Sequence, residues 1–326
     1  MWITIGLDSC KYNMSGVRKL CCVIISLLPV FSMKAQQSPQ FSLGFLNRMF
    51  VNPGYAGNTP ENLFTTTAIN RLELAGFNGA PVITTVDLHG PVTFFGITSG
   101  VGVSLYNESV GALRMPGINL TYAYRHKIFD GVIGIGITAG VLTSWYAEQN
   151  WRLPEGGSQS EGLPTNETAG VNFDVGLGLY YQSATWFGGL AGKHLTTPKL
   201  GVEKKGTLPR TIYANLGYTY AVDESDWVFT PMVDLVTDFG QTSFAIKTTG
   251  TFREKYWGGL GYRWGQAIVG MVGIELFEGV KVAYAYEFLT SKLNRFSGGC
   301  HELSLSYSFS VSIPKGSQQY KSIRYL

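Results

Sequence analysis

The 326 residues include 41 glycines, 18 tyrosines and 19 phenylalanines beside only 14% charged residues, where ordinary soluble domains carry about a quarter. Residues 1–35 hold Lys11, Arg18, Lys19, Lys34 and Asp8, so the remainder carries 21 charges of each sign, and the basic stripe that nucleic-acid binding requires is absent. After residue 35 no run of 18 apolar residues occurs, which excludes spanning helices and leaves strands as the only means of entering a membrane.

At the N-terminus, Arg18 and Lys19 precede an apolar run from Leu20 to Phe31 and then Ser32, Met33, Lys34 and Ala35. This layout reads as a secretory signal peptide over 1–35, with Met14 as an alternative start and Gln36 as the first mature residue. Cys10, Cys21 and Cys22 would leave with it, so the remaining Cys300 has no intramolecular disulfide partner. Residues 36–62 carry turn-favouring Asn52-Pro53-Gly54 and no alternation; they are expected to form a non-strand segment, periplasmic or plugging the lumen.

From residue 63 onward a period of two dominates. Strands are expected over 63–72, 81–89, 95–106, 117–128, 132–145, 170–182, 185–194, 209–221, 227–237, 241–251, 255–264, 267–276, 280–289 and 301–312. The last is the clearest: Leu303, Leu305, Tyr307, Phe309 and Val311 alternate with five serines, Ser304 to Ser312. Successive side chains of a strand point to opposite faces, so one face is apolar and the other hydroxylic. Val171 to Tyr181 and Ile133 to Val141 alternate in the same way with Gly, Asn, Asp and Thr. Fourteen strands of about 10 residues suit an all-β antiparallel transmembrane barrel over 63–312, followed by a short periplasmic tail, 313–326. The third, fifth, seventh and thirteenth connections are expected to be long and the even-numbered ones tight, which places both termini on the periplasmic side. A soluble sandwich would instead expose charge on its polar faces, and no blade-length repeat supports a propeller.

Chemistry-bearing residues are sparse. The histidines after the leader are His89, His126, His194 and His301. A base must lie within hydrogen-bond reach of its nucleophile, and His194 or His301 with Ser297 is the one dyad weighed; no spacing singles it out. His301-Glu302 is followed four places on by Leu305, so it is no zinc-protease element, and no metal or cofactor is expected. Asp174, Asp234, Glu275 and Glu287 are expected in a lumenal network with Lys193, Arg125 or Arg263, and Gly134-x-Gly136 is read as close packing or lumen clearance.

Three ordered blocks carry a resemblance. They are Asn52-Pro53 with Tyr55-Ala56-Gly57; Arg71 followed by Gly79-Ala80-Pro81 and His89-Gly90-Pro91; and Tyr284-Ala285-Tyr286, Ser291, Leu293 and Gly299-Cys300-His301-Glu302. Together they resemble the PorP/SprF family of Bacteroidota outer-membrane proteins, associated with the type IX secretion system. Glu287 stands where the family usually has Asp, and Cys300 where it has Ser. The resemblance implies a non-enzymatic barrel in outer-membrane lipid. Its implied partners are secreted adhesins with a type-B C-terminal sorting domain, a periplasmic peptidoglycan-binding lipoprotein and other type IX components, with a link to gliding motility. Asn52, Pro53, Tyr55, Gly57, Arg71, Pro81, His89, Pro91, Tyr284, Tyr286, His301 and Glu302 are the family-motif positions so implied, structural or partner-binding. The alternative is a passive porin or small-molecule channel, since a fourteen-stranded barrel is wide enough for a lumen.

Overall fold

The computed structural model describes residues 39–59, 63–94, 96–146, 170–200, 206–295 and 297–311. The leader, the tail 313–326 and the fifth connection, 147–169, lie outside them. Fourteen antiparallel strands form the wall: β1 (Phe64–Leu72), β2 (Val82–Phe94), β3 (Ile97–Val110), β4 (Leu113–Ile128), β5 (Gly131–Tyr146), β6 (Gly170–Gln182), β7 (Trp186–Lys193), β8 (Thr211–Tyr218), β9 (Trp227–Thr237), β10 (Thr242–Phe252), β11 (Tyr256–Arg263), β12 (Ala267–Phe277), β13 (Val280–Leu289) and β14 (Cys300–Phe309). After a one-residue break, β8 continues as Tyr220–Ala221 along β9. Each strand pairs with its sequence neighbours, β8 with β9 included, and β1 pairs with β14 from Phe64↔Phe309 to Leu72↔His301. The sheet therefore closes and no edge is left open.

The wall is apolar outside, and its inner face is largely polar or small, with apolar patches such as Ile69, Ile83, Val269 and Met271. Val171 is 70% exposed, Leu260 72% and Leu120 64%, while Asp87 and Glu302 are fully buried and Ser304 is 1% exposed. A soluble fold could not hold such an apolar outer girdle, and a lipid-facing barrel requires it. Among the described residues no helix is long and apolar enough to cross a membrane.

One connection differs from expectation. The third is the two-residue turn Gly111-Ala112, because β3 and β4 run further than their alternation suggested, and the first, residues 73–81, is long instead. The long connections, first, fifth, seventh and thirteenth, are still all odd-numbered, so one rim carries loops and the other tight turns such as Phe129-Asp130 and Glu278-Gly279. We call these the loop rim and the turn rim. The β2 strand also passes through Gly90-Pro91, where β1 no longer accompanies it, the edge-like position at which proline is tolerated.

Residues 39–59 fold into short turns, Gly44–Leu46, α1 (Arg48–Val51) and Pro53–Tyr55. Four residues are too few for a helix to be stable alone, so this segment takes its shape from what surrounds it. Leu43 and Ala56 are fully buried and Met49 is 2% exposed. Their contacts are inward-facing wall residues, so the segment occupies the lumen.

Candidate functional site: the occupied lumen

The densest polar cluster ties the start of the segment to β1, β11, β13 and β14. Arg71 forks onto Glu287 with Nη1 and Nη2 donating at 2.8 and 2.9 Å, and it also bonds Glu302. Arg263 donates to the same Glu287 at 3.0 and 3.1 Å. Glu302 completes its shell with two backbone donors from the segment, Ser42 N–H at 2.7 Å and Leu43 N–H at 2.8 Å, while the Ser42 hydroxyl donates to Glu287. Buried charges are tolerated only when paired and hydrogen-bonded; here the segment's own amides are part of that satisfaction. Arg71 sits near the end of β1, and Glu302 is the third residue of β14, so the cluster lies towards the loop rim.

A second set of bonds follows the segment towards the turn rim. Asn47 donates to Asp87, which also accepts from Ser104. Lys193 Nζ donates to the Phe50 carbonyl at 3.0 Å and lies 3.7 Å from that ring's centroid. Asn52 donates to the Leu179 carbonyl at 2.8 Å, and its Oδ1 accepts the Gly54 N–H at 2.9 Å. Arg125 donates to the Gly57 carbonyl, and the Gly57 N–H donates to His89 Nδ1 at 3.3 Å. With Lys247 donating to the Ser42 carbonyl at 3.1 Å, the bonds reach β2, β4, β6, β7, β10, β13 and β14.

The glycine-rich strands make this approach possible. A Cβ at Gly136 would collide with the backbone of Pro53 and Gly54, and one at Gly54 would lie 2.7 Å from the Gly134 carbonyl. Gly134-x-Gly136 is thus close packing, backbone on backbone. Apolar burial adds to it: Phe41, Leu43 and Phe50 pack with Ile69, Ile83, Val269 and Met271, each large side chain contributing about 2 kcal/mol.

Ten of the twelve family-motif positions fall into three groups, with buried His89 in the first. Asn52, Pro53, Tyr55 and Gly57 lie in the lumen, with Tyr55 edge-on to His89 at 5.6 Å and to Tyr180 at 4.9 Å. Arg71 and Glu302 meet in the buried cluster. Tyr284, Tyr286 and His301 lie on the outer face near the loop rim, where the Tyr284 hydroxyl and His301 Nδ1 are 2.6 Å apart and the Tyr286 and His301 rings 5.1 Å apart. Pro81 accepts the Glu73 N–H at 2.9 Å in the first connection, and Pro91 stands in β2; neither joins a group.

The expected charge network needs correction. Glu287 does pair with Arg263, but Asp174 holds His194 at 2.7 Å, Asp234 holds Lys247 at 2.9 Å, Arg125 donates to the Gly57 carbonyl and to Asn58 Oδ1, and Glu275 pairs with half-exposed Lys281 at 3.4 Å beside the turn rim. Long side chains choose the nearest partner across the lumen, which alternation along one strand does not encode. The weighed dyad is not assembled: His194 bonds Asp174, His301 faces Tyr284, and Ser297 Oγ accepts the Gly299 N–H at 3.3 Å. Ser42, Asn47, Arg48, Asp87 and Lys247 were missed. Asp87 and Lys247 share the inward parity of their strands, the one signal that pointed to them.

Of the two places expected for the N-terminal segment, periplasmic side or lumen, it takes the lumenal one. Ser42 and Leu43 sit at the loop-rim cluster, and the chain descends past Gly57 to enter β1 at the turn rim. The Asn52–Gly57 block is therefore enclosed by the wall instead of standing free among the periplasmic turns.

Comparison with solved structures places the architecture among bacterial outer-membrane barrels. The Ralstonia pickettii toluene transporter TbuX is similar over 81% of this chain and 93% of its own, at 11% identity and a TM-score of 0.52. The CymD monoaromatic hydrocarbon channel is similar over 84% and 94%, at 12% identity and a TM-score of 0.51. At such identities the likeness concerns the fold alone. No curated protein matches the sequence. The family model for the type IX secretion system membrane protein PorP/SprF matches residues 33–307, a span that takes in the lumenal segment, the Arg71–Glu302 cluster and all but the end of the closing strand, and the chain belongs to that family.

Proposed function

We propose that this barrel is a binding and anchoring component of the type IX secretion system, not a catalyst. In this reading it holds secreted adhesins with a type-B C-terminal domain at the cell surface through its loop rim. Its turn rim docks a periplasmic peptidoglycan-binding lipoprotein, and the assembly supports gliding motility. Residues 1–35 are removed on export, and 313–326 form a periplasmic tail. The observation that carries the reading is the braced lumen: a segment tied to seven strands occupies it, which leaves the two rims as the surfaces that a protein partner can reach. Docking then falls to the turns, where Phe129 is 94% exposed, and not to the enclosed Asn52–Gly57 block. Outer-face Tyr284, Tyr286 and His301 serve the loop rim, while Arg71, His89 and Glu302 hold the segment. Gentle detergent extraction from native envelopes and affinity purification is expected to recover adhesin and lipoprotein with the barrel; a bare barrel would sink the proposal.

The second reading, a small-molecule channel, draws on the barrel fold shared with a toluene transporter and a monoaromatic hydrocarbon channel and on a cavity left beside the lumenal segment. Planar bilayers separate the two: the anchor is electrically silent, whereas a steady open-channel current favours the pore.

A further inference from the structure

The lumenal segment fills one side of the barrel and leaves a gap on the other. Between the segment and β8–β10 lies a cavity of about 80 Å³, partly open to its surroundings. Its walls are mainly aromatic and apolar, including Phe45, Tyr180, Phe187 and Met232. Charged residues also line it, and their pairing is uneven. Lys247 is matched by Asp234 at 2.9 Å, and Arg263 by Glu287 at 3.0 Å. Arg48 has no carboxylate partner among the described residues. One of its Nη atoms donates to the Tyr180 hydroxyl at 2.5 Å, its Cζ lies 4.0 Å from the Phe187 ring centroid, and its buried Nε has no hydrogen-bond partner.

A guanidinium held among aromatic rings with a buried, unmatched donor is costly unless an anion completes it. The planar fork of arginine suits a carboxylate, and the rings suit a flat apolar body. Size limits the choice, because an apolar cavity of roughly 150 Å³ encloses one benzene. A cavity about half that size and partly open admits at most a single ring, not wholly enclosed, and no long acyl chain. We propose that this cavity is a binding site for a small organic carboxylate with an aromatic or short apolar body, its carboxylate on Arg48 and its body against Phe187 and Met232. The site is independent of the anchoring role, which stands or falls on co-purification.

The test is benzoate binding to the full barrel in a neutral detergent, followed by saturation-transfer NMR with benzamide as the uncharged comparator. Benzoate is expected to bind saturably and at least tenfold more tightly than benzamide. Arg48→Gln should weaken benzoate at least tenfold, Arg48→Lys, which keeps the charge without the fork, should weaken it less than Arg48→Gln does, and Arg114→Gln, outside the cavity, should change nothing. Folding of each variant is checked by heat-modifiable gel migration. Should Arg48→Gln fail to fold, Met232→Trp, which fills the cavity, is expected to abolish binding. The proposal is overturned by absent saturable binding, by equal affinity for benzoate and benzamide, or by a folded Arg48→Gln or Met232→Trp barrel that binds benzoate like the wild type.

Discussion

The two sides of the lumen differ in how the wall meets the N-terminal segment. On β3–β6 the inward positions facing it include Gly100, Gly134, Gly136 and Gly178, and backbone touches backbone. On β8–β10 they are Tyr213, Asn215, Met232 and Lys247, and a cavity remains. A main chain has one shape and many hydrogen-bonding groups, so it seats closely only where side chains are absent. Long inward side chains hold it at a distance and meet it by their tips, as Lys247 does at the Ser42 carbonyl. One side therefore fixes the segment, and the other leaves space.

Removing the charge that anchors the start of the segment should have the largest effect. Arg71→Met strips Glu302 of its guanidinium and leaves a buried carboxylate on two amides, which should cost about 3–5 kcal/mol; loss of the heat-modifiable folded band at moderate temperature measures it. Next comes an assault on the close side. Gly136→Leu drives a side chain into Pro53–Gly54 and should cost about 1–3 kcal/mol or expel the segment, read as new trypsin cleavage at Arg48 and raised bilayer conductance. Gly270→Ala, with nothing within 4 Å of the added carbon, is the silent control. Asn52→Ala removes the bond to Leu179 and the one to Gly54 N–H and should cost about 1–2 kcal/mol in thermal unfolding. Smallest of all, Tyr284→Phe deletes the outer-face bond to His301; the barrel should lose less than about 1 kcal/mol, and any large loss of partner recovery would mark the loop rim as the contact.

Much of the wall was legible because strand alternation is a local signal. Val280 to Phe288 and Leu303 to Phe309 present their apolar faces outward as read, and β6, β9 and β13 have the expected bounds. The third connection was misjudged because Arg114-Met115-Pro116 in β4 breaks the pattern that the ladder with β3 nonetheless continues. The lumenal site was harder to see. Glu302 stood in a recognised block, yet its partners lie 231 residues away at Arg71 and 260 residues away at Ser42, distances over which no periodicity carries information.

The sequence by itself determined that the chain forms a lipid-facing barrel of fourteen strands with long connections on one rim, because hydrophobic alternation and strand length follow from the solvent each face meets. Only the tertiary structure decided what fills that barrel. Closing β1 on β14 brings Arg71 to Glu302, and a glycine face permits either water or a returning main chain. The Asn52-Pro53-Gly54 turn, shaped by the wall around it, took the second course.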